Sequence, residues 1–176
     1  FDHALEEACG DWLNRANVPI IACGMVGSAQ GWREVPYCAT PARVEHVSAG
    51  MLTVRSRGGR DVHLVPGVMQ HSRLPNVMRG EETQLLGLAA TLPGYSGLVC
   101  MPGTHSKWAL LDGTKIEHFT TAMTGEMFEL LSTQTVLRHS LTGDQNGPER
   151  NDGFSAGARD GLERPADLLG QLFRVR

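Results

Sequence analysis

Residues 98–121 read LVCMPGTHSKWALLDGTKIEHFTT. Two turn signals cut this stretch into three apolar-rich runs: Pro102-Gly103-Thr104-His105-Ser106, and Asp112-Gly113. Asp-Gly between two such runs favours a tight hairpin, because its central residues need backbone angles that Asp tolerates and Gly adopts freely. The spacing predicts strands over 98–101, 107–111 and 115–121, joined as consecutive hairpins.

Upstream, residues 79–92 (RGEETQLLGLAATL) predict a helix, acidic in its first turn and apolar later, an order that suits the helix dipole. Residues 66–76 read as loop. Residues 51–56 and 61–65 read as a hairpin around Arg57-Gly58-Gly59-Arg60. Residues 29–50, with Pro36, Pro41 and Gly50, read as loop. The apolar run 18–23 (VPIIAC) predicts a short buried parallel strand that ends in Gly24-Met25-Val26-Gly27-Ser28. A helix is expected over 2–16, with Ala4, Leu5, Ala8, Cys9, Trp12 and Leu13 on one face, stopped by Asn17 and Pro19. Downstream, Thr124 is expected to cap a helix running through Leu141, with Glu126 in its first turn and Met127, Leu130, Leu131, Val136 and Leu137 apolar. A polar loop over 143–153 and helices over 154–163 and 165–175 complete a mixed α/β pattern, with a boundary near Pro93-Gly94.

The 176 residues suit one domain or two small lobes. Lys and Arg number 16 against 19 Asp and Glu, and no basic run occurs, which argues against a sequence-wide grip on nucleic acid. No apolar run approaches the roughly 20 residues that span a bilayer. Cys9, Cys23, Cys38 and Cys100 form no CxxC pair, and reduced thiols in a cytoplasmic protein are expected. The chain starts at Phe1 and ends in an amphipathic run, so a piece of a longer protein is expected.

Three segments could carry chemistry. In Gly103-Thr104-His105-Ser106, backbone N–H groups and hydroxyls can converge on an anion, with Lys107 adding charge if it points the same way; the same residues also fit a plain hairpin turn. In Arg79-Gly80-Glu81-Glu82, adjacent carboxylates on a helix diverge, so at most one faces a given cleft, where it could take a proton from a hydroxyl. Arg79 could hold a substrate carboxylate in a two-point fork. Alternatively the acids simply favour the helix dipole. In residues 24–32, Ser28, Gln30 and Trp32 are types that line sugar sites, and Trp32 equally suits a core. Cys100, on a strand, is expected in the core. The seven histidines show no HxxxH or HxH spacing, so a protein metal cage is poorly supported. Neither GxSxG nor GxxxxGK[ST] occurs.

Together GMVGSAQGW, NVMRGEETQLLG, CMPGTHSKWALLDG and FTTAMTGEMFELL resemble the 2-dehydro-3-deoxygalactonokinases, within the sugar kinase, Hsp70 and actin superfamily. The likeness covers roughly residues 18 to 176. It implies an α/β, ribonuclease H-like actin/sugar-kinase fold of two lobes, with residues 1–94 in the sugar-binding lobe and 95–176 opening the nucleotide-binding lobe. The superfamily's opening phosphate hairpin and its adenosine motif are not among these residues, so the chain is expected to be the middle of such a kinase.

The implied reaction is ATP-dependent phosphorylation of the terminal hydroxyl of 2-dehydro-3-deoxy-D-galactonate, with Mg²⁺. Gly80-Glu81 stands where the superfamily carries Gly-Asp, which implies Glu81 as the catalytic base, beside Glu82. Gly103 and Thr104, with His105 and Ser106, are implied at the ATP phosphates. Arg79, Ser28, Gln30 and Trp32 are implied at the sugar acid. The expected partners are the sugar acid and ATP, with no nucleic acid and no membrane, and a homodimer as the assembly to consider. The competing readings are a non-catalytic sugar-acid-binding module of the same fold, and a kinase for a related sugar acid.

Overall fold

The computed structural model describes residues 1–15, 18–140 and 149–174. These fall into two compact units: residues 1–102 with 106–122, and residues 103–105 with 123–176. The long strands that follow Gly94 belong almost wholly to the first of these units.

The first unit begins with α1 (Asp2–Arg15), β1 (Ile20–Ala22) and a 3-10 turn over Gly24–Gly27. It continues through β2 (Cys38–Ala39), β3 (Ala42–Arg43), α2 (Val44–Ala49), β4 (Leu52–Arg55) and β5 (Asp61–Leu64). Then come β6 (Val68–Gln70), β7 (Asn76–Met78), α3 (Glu81–Thr91), β8 (Ser96–Met101), β9 (His105–Asp112) and β10 (Lys115–Met123). Three sheets form, in the orders β1-β5-β4, β2-β6-β7 and β3-β10-β9-β8. The expected hairpins hold: β4 lies antiparallel to β5, and β8 to β9 with Cys100 opposite Trp108. β1 is parallel to β5, as its apolar run predicts, but only Ile20–Ala22 pair and Ile21 is exposed.

Strand alternation builds the main core. Ala109 and Leu111 of β9 meet Ile116 and Phe119 of β10, Leu85 and Ala89 of α3, and Met78 of β7. A smaller core gathers Val35, Val62 and Leu64. On β8 the alternation exposes Leu98 and Cys100 while Val99 and Met101 pack inward. Cys100 is thus on the outer face, against expectation. All four thiols are free.

Two segments expected as loop are structured. Residues 29–50 contain β2, β3 and α2, and residues 66–76 contain β6 and the start of β7. These strands are two or three residues long, too short to show a period. They exist because distant partners supply their hydrogen bonds: Cys38 pairs with Val68, and Arg43 with Lys115.

The second unit contains α4 (Gly125–Gln134), a 3-10 turn over Val136–His139, α5 (Glu149–Glu163), a 3-10 turn over Pro165–Asp167 and α6 (Leu168–Arg174). α4 stops short of Leu141 because Thr135 is extended; its hydroxyl accepts from the Leu137 amide at 3.1 Å and starts the 3-10 turn. α5 begins five residues before the expected 154, so residues 149–153 are helix rather than loop. Asn17, Leu141, residues 143–148 and Val175 lie outside the described residues.

Candidate active site

In the first unit the turn after β1 meets the start of α3. Gly24 (φ +84°) and Gly80 (φ +113°) lie face to face; a Cβ on Gly80 would sit 3.3 Å from the Gly24 Cα. Both the left-handed backbone and the close approach require glycine here.

Glu81 and Glu82 then diverge. Glu82 has no exposed surface, its Oε2 accepts the Gly80 amide at 2.6 Å, and its Oε1 accepts the Thr83 hydroxyl at 3.0 Å. Burial pushes its carboxyl above the ordinary range, partly offset by these hydrogen bonds. Glu81 keeps about a quarter of its side chain exposed. Its Oε2 accepts the Arg79 amide at 3.0 Å, and its Oε1 lies 3.9 Å from Lys107 Nζ.

Lys107 adds its charge to the Gly103–Ser106 turn only if it points the same way. Instead its side chain is buried in the first unit and donates to the Val77 carbonyl at 2.8 Å and the Thr121 hydroxyl at 2.9 Å. Alternation along β9 decides this: Lys107 lies on the same face as the buried Ala109 and Leu111, while Trp108 is on the other face and exposed. Beside Thr121 a shallow groove opens, lined by Arg73, Asn76 and Thr120 among others.

Arg79 does not present an open fork. Its Nη2 donates to the Val35 carbonyl at 2.9 Å, and its guanidinium lies 4.2 Å over the Tyr37 ring. Nε and Nη1 are shut from solvent without a partner, and a Cβ on Gly27 would come within 3.0 Å of Nη1. Ser28 is buried, and its hydroxyl donates to the Met25 carbonyl at 2.8 Å. Gln30 is exposed. Trp32 is half-buried against the Val35–Val62–Leu64 core and stacks on Phe1, with centroids 6.1 Å apart. Of these residues, Gln30 is the one whose side chain is well exposed.

In the second unit, Gly103, Thr104 and His105 form a turn bound to the start of α4. The Thr124 and Glu126 amides donate to the Thr104 carbonyl at 3.3 and 3.1 Å, and the Gly125 amide to the Gly103 carbonyl at 3.1 Å. The Thr124 hydroxyl also donates to the Gly103 carbonyl, at 3.1 Å. His105 Nε2 and Glu126 Oε2 are 2.5 Å apart. Thr104 is exposed, whereas Ser106 is a buried member of the first unit. In the sequence Glu126 is only a first-turn acid, and nothing local signals its pairing with His105. Among the described residues, no group of three or more His, Cys, Asp or Glu is placed to hold a metal.

A family model described as 2-keto-3-deoxy-galactonokinase matches residues 1–176. A Rhizobium meliloti (strain 1021) protein named Probable 2-dehydro-3-deoxygalactonokinase is 44% identical over 162 residues, 92% of this chain and 53% of that protein. The 2-dehydro-3-deoxygalactonokinase of Escherichia coli (strain K12) is 42% identical over 175 residues, 98% of this chain and 56% of that protein. A crystal structure from Sinorhizobium meliloti, of a protein provisionally assigned as a 2-dehydro-3-deoxygalactonokinase, superposes with a TM-score of 0.91 at 40% identity. That match covers 100% of this chain and 58% of the other. The chain spans about half the length of the curated relatives it matches.

Proposed function

The chain belongs to the 2-keto-3-deoxy-galactonokinase family, and from that premise we propose that it carries the acceptor-activating carboxylate of an ATP-dependent sugar-acid kinase. The substrate is 2-dehydro-3-deoxy-D-galactonate and the acceptor its terminal (6-) hydroxyl, in galactonate degradation. The complete protein is read as the two-lobed, ribonuclease H-like fold of actin and the sugar kinases, cytoplasmic, with its lobes meeting in sequence near Gly94. Residues 1–94 then belong to the sugar-binding lobe and 95–176 to the nucleotide-binding lobe.

The observation that carries this reading is the divergence of the two carboxylates. Glu82 is fully buried and committed to Gly80 and Thr83, while Glu81 remains partly open. Glu81 is therefore the base. It accepts the proton of the sugar hydroxyl as that oxygen forms its bond to the γ-phosphorus; the bond from phosphorus to the β,γ-bridging oxygen breaks, and ADP leaves with that electron pair. Such a transfer needs little covalent help from the protein, so positioning dominates. Thr104, with Gly103 and His105, is assigned to the ATP phosphates, on a turn braced by α4. Gln30 contacts the sugar acid directly, and Ser28 and Trp32 shape the segment that carries it. Arg79, enclosed by Gly27, Val35 and Tyr37, fixes that segment. Mg²⁺, bound with the nucleotide, would neutralise phosphate charge.

Mass-spectrometric detection of the phosphorylated sugar acid tests the proposal, using ATP, Mg²⁺ and 2-dehydro-3-deoxy-D-galactonate. Glu81→Gln is expected to lower turnover by about 10²–10⁴-fold while sugar-acid binding survives, the range typical of a lost general base. A variant that turns over like the parent overturns the assignment. Binding without turnover in the complete parent protein supports the non-catalytic module instead.

A further inference from the structure

The reaction above gives no part to Lys107, yet that side chain is among the most unusual in the first unit. It is an ammonium on an inward-facing strand position, 7% exposed. Burying a cation is costly unless partners compensate, and for packing alone an apolar side chain serves as well. An ammonium has three N–H donors. The Val77 carbonyl of β7 and the Thr121 hydroxyl of β10 take two of them, at 2.8 and 2.9 Å. Both are neutral. The charge they leave uncompensated faces Glu81 Oε1 at 3.9 Å, and the other oxygen of that carboxylate is held by the Arg79 amide.

We infer that Lys107 is a positioning residue for Glu81: anchored by Val77 and Thr121, it orients the carboxylate from one side while the Arg79 amide holds it from the other. The inference rests on Glu81 being the base. Lys107 fixes the carboxylate's rotamer, and it transfers no proton itself. Thr121 is the outer support, since its hydroxyl fixes the ammonium. Burial lowers the Lys107 ammonium below its ordinary range and Glu81 pulls it back up, as this arrangement requires. The groups around the pair are Glu81 and the buried Glu82 on α3, the Arg79 main chain before it, Val77 on β7 and Thr121 on β10.

Two measurements test the pair and its use separately. Nitrogen-15 NMR of the Lys107 ammonium against pH, on the 176-residue chain, reads the coupling. Glu81→Gln is expected to lower the ammonium's midpoint by about 1 unit, the lower end of the effect of an adjacent opposite charge. An unmoved midpoint overturns the inference. In the phosphorylation assay, Lys107→Met is expected to lower kcat about tenfold or more with the sugar-acid KM changed less than about twofold, and Lys107→Arg to recover part of the loss. If Lys107→Met does not fold, Thr121→Val, nearly equal in volume, is expected to move kcat in the same direction by less. A parental kcat in Lys107→Met beside an inactive Glu81→Gln overturns the role of Lys107 and leaves the kinase reading standing. A fully active Glu81→Gln overturns both. If the complete parent protein shows no turnover, the kinase reading fails and the NMR measurement still decides the pair.

Discussion

Glu82 holds a carboxylate with no exposed surface one residue from a partly open one, and the two differ in what they do for stability. Desolvation raises the Glu82 carboxyl above its ordinary 4.5, and the charge of Glu81 adds to the rise, against the hydrogen bonds from Gly80, from its own main chain and from Thr83. A carboxyl raised on folding binds more protons folded than unfolded. Its contribution is complete below pH 4.5 and is lost as pH rises through the folded value. The parent chain should therefore lose denaturation midpoint over that window, and Glu82→Gln should lose less. Urea titrations at a series of pH values check this; parallel curves for the two proteins would contradict it. Sequence alone could say that the two acids diverge, because helix geometry separates neighbours by about 100°. It could not say which of them turns inward, since that depends on what packs over the first turn of α3.

At the scale of elements, the Gly103–His105 turn is held by α4 more than by its own residues. Three α4-end amides and the Thr124 hydroxyl converge on the Gly103 and Thr104 carbonyls. Gly125 makes this approach possible: a Cβ there would fall 2.7 Å from the Gly103 carbonyl oxygen. That oxygen is main chain, so the turn and not a flexible side chain must give way. Gly125→Ala is expected to displace the turn and raise the KM for ATP about tenfold or more, with the sugar-acid KM little changed, because small misplacements of binding groups are costly. Steady-state kinetics with each substrate varied in turn check it. The hairpins around this turn were legible because Pro-Gly-Thr and Asp-Gly are local signals. The brace was not, because Gly103 and Gly125 are far apart along the chain and no local pattern joins them.

Across the whole molecule, burial is unevenly shared. Among the described residues, Leu137 is the one buried hydrophobic residue that belongs to the second unit. Met127, Phe128, Leu130, Phe154, Leu162, Leu168 and Leu169 of that unit are exposed. Helices held by few buried apolar contacts open more readily than core strands. Amides of α4 and α5 are expected to exchange with deuterium well before those of β9 and β10, which carry Ala109, Leu111, Ile116 and Phe119. Hydrogen-exchange mass spectrometry on the chain measures this, and equal protection in the two units would refute it.

The sequence by itself determined the long strands β8 to β10 and their turns, the hairpin of β4 and β5, the helix at residues 81–91 and the glycine-marked end of β1. Each rests on interactions among residues close in the chain, so a few positions suffice to encode it. Tertiary structure alone decided the rest. The short strands β2, β3 and β6 exist through partners such as Val68 and Lys115, 30 and 72 residues from Cys38 and Arg43. The guanidinium of Arg79 is enclosed by Val35 and Tyr37, and Lys107 is drawn away from its own turn to Val77, Thr121 and Glu81. A buried charge goes where distant oxygens can compensate it, and where those oxygens lie is a property of the packed fold rather than of any local run of residues.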